Sequence, residues 1–307
     1  MRNKKQTDLS AFCKRLMIEK LAAMTLLLFS LLAHGALAEN RGLIWQFEKG
    51  GQVSYLLGAI HFANADFYPL SDAMMSAYQQ SEVLVVEVDD DTVSIEQQQV
   101  ILRQYGLYPD NETLRNHLQP ETLALIESLL GEFNVPLAHV QRYRPGMIAV
   151  TLAALQAEKL GYHADKGIDQ YFLQKARHQK KIRQIEDFTF QMKLIAELPE
   201  DDAILQESFR DMGDYQAMWR GMMAAWQRGD GDALYQRAIG EALRESPELA
   251  PFFNVLFFDR HPRMVKSAEQ CISSREICLI VVGAGHLVGD KGIVAELRRR
   301  GYRVTQQ

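Results

Sequence analysis

The sequence predicts an α/β fold in which a small central mixed β-sheet carries a site at its strand ends and a large helical region occupies the middle of the chain. Nearly unbroken apolar runs at 83–88 and 277–282 are typical of central strands that are covered on both faces. Between them, over about 92–270, apolar residues recur every three to four positions, which is typical of helices. We therefore expect one domain, 39–307, with a helical cap or insertion at about 92–270.

Shorter strands are predicted on either side of these runs and within the helical region. The runs 43–48 and 52–57 flank a Gly-Gly pair, which indicates a hairpin. The segment 181–185 interrupts the helical region as a short strand, and 302–304 has the pattern of an edge strand. The second hairpin strand and the run at 277–282 both lead into Gly-x-x-His, so we expect two strand ends to lie side by side.

Helix starts are marked by capping residues. Ser71 is a suitable cap for a first helix, and Ser94 with Gln97 forms a capping box. The last helix, 293–300, ends in three arginines and Gly301, which suits the helix dipole and the C-cap. The helical region carries apolar residues at helical spacing near 94–105, 120–132, 145–160, 167–179, 201–228 and 230–246.

Residues 1–38 have the pattern of a secretory signal peptide. Six of the first 20 residues are Arg or Lys, an apolar run from Leu21 to Leu32 follows, and Ala36-Leu37-Ala38 gives a small-x-small cleavage signal. That run of about a dozen residues is shorter than the roughly 20 that a membrane span needs. We expect a periplasmic or secreted protein without a stable membrane span after cleavage. The alternative is an uncleaved N-terminal anchor.

The charge and the cysteines restrict partners and compartment. Removal of 1–38 takes away six basic and two acidic side chains and leaves 28 basic against 37 acidic ones, a net charge of about −9. A chain of this charge lacks the basic footprint that nucleic acid requires. Cys271 and Cys278 remain as an even pair, which predicts a disulfide in an oxidising compartment, the alternative being two reduced cysteines. The sequence leaves the oligomeric state open.

Three residues that can carry chemistry lie at predicted strand ends: His61, Glu87 and His286. Ligands collect at the carboxyl ends of parallel strands, and two imidazoles with a carboxylate are a common ligand set for a divalent transition metal. Such a metal acidifies a bound water and polarises a carbonyl. Each residue also has a structural alternative. A strand-end histidine is often a hydrogen-bonded framework residue, and a buried Glu87 can be salt-bridged to an arginine such as Arg260.

Four motifs together resemble the TraB/GumN family, to which the TIKI metalloproteases are related. They are Tyr-Leu-Leu-Gly-Ala-Ile-His at 55–61, Leu-Val-Val-Glu-Val-Asp at 84–89, Lys-Gly-Ile-Asp at 166–169 and Val-Val-Gly-Ala-Gly-His-Leu-Val-Gly at 281–289. The resemblance extends from about 43 to 304, and the order of the motifs is its specific feature.

The resemblance implies a metal-dependent hydrolase fold, similar to the erythromycin esterase and ChaN-like group. TIKI-type members are peptidases that use manganese or cobalt, so these ions are expected here, with zinc as a further candidate. Matching motifs assign the metal to His61, His286 and Glu87. Glu87 then either completes the ligand set or takes the proton from the bound water.

Two further segments match family residues. Glu186 matches the glutamate of a family Leu-Glu-Thr segment, followed here by Gln191, and is a second carboxylate candidate for ligand or base. Arg260 matches a family arginine and is expected to stabilise the oxyanion on the scissile carbonyl. The family has an asparagine directly after that arginine, whereas this chain has His261 at that position.

These assignments predict a peptidase-like, metal-dependent hydrolase of the cell envelope that acts on a peptide or protein. The alternative is a non-catalytic envelope protein that binds a peptide, a signal or a haem-like ligand.

Two other segments favour structural roles. Lys166–Asp169 is expected to cap a helix, with Asp169 facing the site as the alternative, and the Met- and Trp-rich stretch 212–226 is expected to be core rather than an apolar wall for ligand.

Overall fold

A six-stranded mixed sheet forms the centre of the fold. The strands are β1 (Leu43–Lys49), β2 (Gln52–Ala59), β3 (Val83–Val86), β4 (Lys181–Gln184), β5 (Cys278–Gly283) and β6 (Arg303–Gln306), in the order β4-β3-β5-β2-β1-β6. The computed structural model describes residues 41–210 and 215–307. The predicted signal peptide, 1–38, lies outside the described residues.

The predicted hairpin and the C-terminal edge strand are both confirmed. β1 and β2 pair antiparallel, and β6 pairs antiparallel with the other side of β1. The hairpin turn consists of Gly50 and Gly51, whose φ angles are 60° and 80°. Glycine adopts positive φ at little steric cost, and two such residues give the turn whose twist matches paired strands.

The other strand pairings, β2 with β5, β5 with β3 and β3 with β4, are parallel. Ala59 pairs with Gly283, and Val86 pairs with Val281, so the carboxyl ends of β2, β5 and β3 meet at one edge of the sheet. Every residue of β3 and β5 is buried. Burial on both faces explains why their sequences are continuously apolar rather than alternating.

Helices make up most of the remaining chain, as the sequence predicts. They are α1 (Asp72–Gln80), α2 (Ile95–Ile101), α3 (Pro120–Gly131), α4 (Leu137–Val140), α5 (Pro145–Lys159), α6 (Ile168–Ala176), α7 (Phe188–Ala196), α8 (Asp202–Arg210), α9 (Tyr215–Arg228), α10 (Gly231–Tyr235), α11 (Glu241–Glu245), α12 (Ala250–Leu256), α13 (His261–Ser273), α14 (Ala284–Leu287) and α15 (Ile293–Arg299). Short 3-10 turns lie at Ala65–Phe67, Asp90–Thr92, Leu114–Asn116, Ala164–Lys166, Pro247–Leu249 and Phe258–Arg260, and π-helical turns at Leu102–Gly106 and Gln236–Gly240.

The helical middle of the chain has a hydrophobic core of its own. Ile126, Leu130, Ile148 and Leu152 are fully buried there, and each such side chain contributes about 1.5–3 kcal/mol relative to an exposed one. The sheet has a separate core, to which α6 contributes by packing on β3 and α13 by packing on β2. The predicted architecture of a small mixed sheet with a large helical region is confirmed.

Some helix boundaries differ from the predictions. Sequence patterns missed α12 and α13, which carry Pro251 and Pro262 in their first turns. Proline breaks a helix interior, but the first turn tolerates it because its N–H groups have no intrahelical partner. The helix predicted at 201–228 is described as α8 and α9, and residues 211–214 lie outside the described ranges.

The aromatic stretch of α9 belongs to the core, as preferred from the sequence. Trp219, Met223 and Trp226 are buried, and Trp226 Nε1 donates to the carbonyl oxygen of Gly58 at 2.6 Å. This bond fixes α9 to the end of β2, next to the first Gly-x-x-His pattern. Met212, at the start of the predicted stretch, lies outside the described residues.

The predicted disulfide is present between Cys271 and Cys278, whose Cα atoms are 6.0 Å apart. It joins the end of α13 to the first residue of β5 and so ties a covering helix to a central strand. Within 41–210 and 215–307, no helix is both long enough and apolar enough to cross a membrane.

Candidate active site

His61, Glu87 and His286 meet at the carboxyl edge of the sheet. His61 lies two residues beyond β2, Glu87 directly follows β3, and His286 lies in α14, which starts directly after β5. A Cβ atom on Gly283 would lie 3.3 Å from both Glu87 Oε1 and His61 Nε2, and 3.5 Å from His286 Cδ2. The three side chains therefore surround the last residue of β5, and a glycine there leaves the space between them open.

Glu87 is buried and firmly held. Its Oε1 accepts a hydrogen bond from the backbone N–H of Gly283 at 2.5 Å, and its Oε2 accepts one from Nη2 of Arg260. Burial alone would raise the pKa of Glu87, but His286, Arg260 and the Gly283 N–H outweigh it and lower this pKa to about 2. The guanidinium is decisive, because it is always charged, whereas the imidazole of His286 is neutral. Glu87 is therefore an ionised carboxylate at neutral pH.

Arg260 is 6% exposed and joins both predicted carboxylates. Its Nε donates to Glu186 Oε1 at 3.0 Å, and its Nη2 donates to Glu186 Oε2 at 2.6 Å as well as to Glu87. Gln191 Nε2 donates to Glu186 Oε2 at 3.1 Å. The alternative of a salt bridge between Glu87 and Arg260 is thus present in the structure. One guanidinium holds two buried carboxylates in fixed positions.

His286 is buried beside the same guanidinium. Nη1 of Arg260 lies 3.1 Å from His286 Nε2, and His286 Nε2 lies 3.7 Å from Glu87 Oε1. On the other side of the ring, His286 Nδ1 lies 3.2 Å from His261 Nε2. Burial lowers the pKa of His286 to about 3. The imidazole is therefore neutral and presents one lone pair.

His61 differs from His286 because its side chain is 56% exposed. Its Nδ1 lies 2.9 Å from Asp169 Oδ2, and the charge of Asp169 raises the pKa of His61 to about 9. Asp169 lies in the first turn of α6. Its Oδ1 is buried and has no hydrogen-bond partner among the described residues. Asp169 therefore faces the site and orients His61, which was the alternative to a purely structural role as a helix cap.

An open cleft of about 380 Å³ lies over His61, Glu87 and Arg260, whereas His286 is buried behind them and does not line it. His61, Glu87, Asp169, Gln191 and Arg260 line its polar side. Its apolar side is formed by Phe62, Val88, Val150, Leu194, Ile195 and Leu256. A cleft with apolar walls and a few convergent polar groups is the usual form of a small-molecule or peptide site.

The donor atoms at this edge fit a divalent cation in chemical type. Two imidazole nitrogens and a carboxylate oxygen are donors that manganese, cobalt and zinc accept, and the open space at Gly283 is bounded by all three side chains. Within the described ranges, no three His, Cys, Asp or Glu side chains are grouped tightly enough to form a ready ion site. The guanidinium of Arg260 lies between Glu87 and His286 in this arrangement. The metal stays a prediction.

The fold and the site define an α/β protein with a charged cleft at the carboxyl edge of its sheet. The chain belongs to the TraB/PrgY/gumN family, whose model matches residues 43–306. It is similar to proteins named YbaP from Shigella flexneri and from Escherichia coli strain K12. Each is 24% identical over 254 residues, which is 81% of this chain and 89% of the relative. No solved structure matches the chain.

Sequence reasoning assigned no site role to His261, and it preferred a structural role for Asp169. The Lys-Gly-Ile-Asp motif was the available signal for Asp169, because it matched the family together with the two histidine motifs. For His261 the signal was its position directly after Arg260, where it departs from the family's asparagine. The contact between the side chains of His261 and His286 follows only from how the fold places the start of α13 beside α14.

Proposed function

We propose that this chain is a metal-dependent hydrolase that cleaves acyl bonds in peptide-like substrates. The observation that supports the proposal is the meeting of His61, Glu87, His286 and Arg260 beneath an open cleft at the carboxyl edge of the sheet. These side chains come from four separate segments of the chain. Family membership is consistent with such a site, although a fold alone does not establish a reaction.

His61, Glu87 and His286 would hold the ion. A bound divalent cation supplies an acidified water and a polarised carbonyl at neutral pH. Glu87 contributes negative charge because it stays ionised beside Arg260. His286 contributes a neutral imidazole, which is the form that ligates metals, but its Nε2 lone pair faces Arg260 and would have to be released from that contact to hold the ion. Asp169 orients the ring of His61 through a 2.9 Å hydrogen bond, as outer carboxylates commonly do for metal-binding histidines. Because the pKa of His61 is raised to about 9, this ring would have to release a proton to hold the ion.

Arg260 and Glu186 have complementary roles in this proposal. Arg260 places fixed positive charge next to the reacting groups, and such preorganised charge stabilises an oxyanion without reorganisation during the reaction. Glu186 and Gln191 hold the guanidinium and its partner carboxylate in place. We assign Glu186 to positioning, since its side chain is fully buried behind Arg260 and it does not line the cleft.

The cleft favours a substrate with an apolar segment next to the cleaved bond. Phe62, Leu194, Ile195 and Leu256 provide one apolar side, and Val150 is 44% exposed within the same lining. Burial of such a segment contributes about 25 cal/mol per Å² of apolar surface. Together with the predicted export signal, this lining supports action on peptide or protein in the cell envelope.

The test measures metal binding and hydrolysis on the protein that cells export when they express the full 307-residue chain. Calorimetry with manganese, cobalt and zinc is run on the wild type and on the His61→Ala, His286→Ala double variant. A fluorogenic peptide library is then assayed with Glu87→Gln. We expect one-to-one binding that the double variant loses and metal-stimulated cleavage that Glu87→Gln abolishes.

A matched control is the His117→Ala, His139→Ala double variant, since both histidines lie outside the cleft lining. It should bind metal and cleave peptide like the wild type. Equal metal binding by the site variant and by the wild type, or peptide cleavage that the site variant retains, contradicts the proposal.

One observation favours the second candidate, a non-catalytic envelope protein that binds a peptide, a signal or a haem-like ligand. In the Glu87–Arg260–Glu186 network, both carboxylates are already paired with the guanidinium, so the network needs no bound ion to compensate their charge. Ion-pair networks with a purely structural role have the same arrangement. A protein of this type would hold peptide in the cleft without cleaving it. Peptide binding measured by fluorescence anisotropy, with intact peptide recovered after long incubation, would favour this candidate.

A further inference from the structure

The side chain of His261 forms the middle of a hydrogen-bonded series that leads out of the site. His261 is the first residue of α13 and is 6% exposed. Its Nδ1 lies 2.8 Å from the carbonyl oxygen of Lys291, and its Nε2 lies 3.2 Å from His286 Nδ1. At the far end of the series, His286 Nε2 lies 3.1 Å from Nη1 of Arg260.

The two ends of this series fix every proton in it. A backbone carbonyl only accepts, so His261 Nδ1 must carry a proton to bond Lys291. A guanidinium only donates, so His286 Nε2 must present a lone pair to bond Arg260.

The contact in the middle then needs a single proton, between His286 Nδ1 and His261 Nε2. If His261 Nε2 carried it, His286 would have lost both ring protons and would be an imidazolate. The proton therefore belongs to His286 Nδ1, and both imidazoles are neutral with one defined tautomer each.

Packing holds the two rings in the orientation that this series requires. The ring centroids of His261 and His286 are 5.3 Å apart with an interplanar angle of 75°. Phe257 lies against His286 at 5.1 Å, and Phe258 lies against His261 at 5.7 Å. Each imidazole therefore has an aromatic neighbour packed against it.

We infer that His261 is a positioning residue: its Nε2 accepts the Nδ1 proton of His286 and so, together with Arg260 on the other side of the ring, holds His286 as the Nδ1–H tautomer with its Nε2 lone pair on the side of Arg260 and Glu87. The relevance of that lone pair to hydrolysis rests on the proposed function, whereas the tautomer itself does not. His261 acts through His286, because it does not line the cleft.

The inference explains why an imidazole serves at a position where the family resemblance leads one to expect asparagine. His261 spans from the carbonyl of Lys291 to His286 with its two ring nitrogens on opposite sides. The asparagine side chain ends near the position of Nδ1 in histidine and is too short to reach both groups. Glutamine is longer and places an amide oxygen near the position of Nε2.

The experiment is long-range 1H–15N correlation NMR at pH 7 on the exported full chain labelled with 15N-histidine. His286 is assigned by the loss of its signals in His286→Asn. We expect His286 to show a protonated Nδ1 and an unprotonated Nε2 in the wild type and in His261→Gln. In His261→Phe, which keeps a ring but removes the acceptor, we expect the Nδ1 proton of His286 to lose its hydrogen bond, so that its signal moves upfield and it exchanges faster with water, while Arg260 still favours the same tautomer. His139→Phe, an exposed position, is the control.

Two results overturn the inference: a wild-type His286 that is protonated on Nε2, or a His286 Nδ1 proton whose chemical shift and exchange rate are unchanged in His261→Phe. If His261→Phe does not fold, the wild-type spectrum still decides: a His286 Nδ1 proton that exchanges with water as fast as that of a free imidazole would show that His261 does not accept it, and would overturn the inference. If wild-type hydrolysis is found, kcat/KM should fall roughly 10–100-fold in His261→Phe and recover in His261→Gln, because outer partners of this kind have effects of that size. Absence of wild-type hydrolysis would count against the proposed function alone, since the tautomer is read independently.

Discussion

Asp169 Oδ2 lies 2.9 Å from His61 Nδ1, although 108 residues separate the two along the chain. The bond places an α6 carboxylate behind an imidazole that follows β2, and it leaves His61 Nε2 near Gly283 and Glu87. His61 is more than half exposed and would otherwise be free to rotate. The relationship indicates that Asp169 sets the direction of the one site histidine that the cleft leaves accessible.

Asp169→Ala should therefore lower kcat/KM for peptide cleavage by roughly 10–100-fold, the usual effect of removing an outer carboxylate partner. The thermal midpoint should change little, because Asp169 is partly exposed. Peptide assays and thermal unfolding of the same preparations check both points. Asp165→Ala, in the exposed turn just before α6, is the matched control and should leave cleavage unchanged. Full activity in Asp169→Ala would contradict the orienting role.

Arg260→Ala should destabilise the fold strongly. Its removal leaves Glu87 and Glu186 buried without their cation, and breaking a buried pair in this way costs about 3–5 kcal/mol. Urea unfolding measures the loss. Adding Glu87→Gln and Glu186→Gln to Arg260→Ala removes the uncompensated charges and should recover part of it.

The control for this series is Arg263→Ala, because Arg263 is 42% exposed and lies 3.9 Å from Glu186. It should cost less than about 1 kcal/mol, as peripheral ion pairs do. Equal losses for Arg260→Ala and Arg263→Ala would show that the buried guanidinium does not hold the carboxylates.

Gly283→Ala tests whether the open space at the end of β5 is needed. The new methyl group would lie 3.3 Å from Glu87 Oε1 and from His61 Nε2, closer than most Cβ contacts. We expect metal affinity and cleavage to fall while the thermal midpoint drops by only a few degrees. Calorimetry and unfolding measure the two effects. Gly131→Ala, where a Cβ meets nothing within 4 Å, is the control. Unchanged metal affinity in Gly283→Ala would place any ion elsewhere.

The sequence predicted the sheet and the convergence of the histidines because both depend on local patterns. Continuous apolar runs identified β3 and β5, and the repeated Gly-x-x-His pattern implied that β2 and β5 end together, as the pairing of Ala59 with Gly283 shows. From the sequence, the partner of the buried Glu87 carboxylate was expected to be either a metal ion or Arg260. The ion pair with Arg260 is present in the structure.

The remaining site contacts depend on how helices pack and have no local signature. Arg260 reaches Glu87, Glu186 and His286 at once because the turn before α13 carries it beneath the sheet edge. No periodicity in the sequence specifies that direction. The contact of His261 with His286 has the same origin. Helices α12 and α13 were not predicted because each has a proline in its first turn, and proline is usually a helix breaker. Proline is nevertheless compatible with the first turn of a helix.

Asp90→Asn should stabilise the protein at neutral pH. Asp90 is an exposed residue at the rim of the cleft, and its pKa is raised, first by the loss of hydration there and then by neighbouring carboxylates: Asp169, Asp89 and Asp91. A raised pKa means that the folded state disfavours the ionised form, so wild-type stability is reduced once Asp90 ionises. The variant should therefore have the higher thermal midpoint at pH 7, and the difference should vanish below the ordinary aspartate pKa of 3.8.

Differential scanning calorimetry at pH 3 and pH 7 measures this effect, with Asp290→Asn, an exposed aspartate outside the cleft lining, as control. Asp89 and Asp91 both pair with Arg177, whereas no ion pair within the described ranges involves Asp90. Asn at this position thus removes repulsion without breaking a salt bridge. A lower midpoint for Asp90→Asn at pH 7 would mean that the carboxylate stabilises the cleft instead. A higher midpoint accompanied by weaker substrate binding would mark Asp90 as a residue retained for function at the expense of stability.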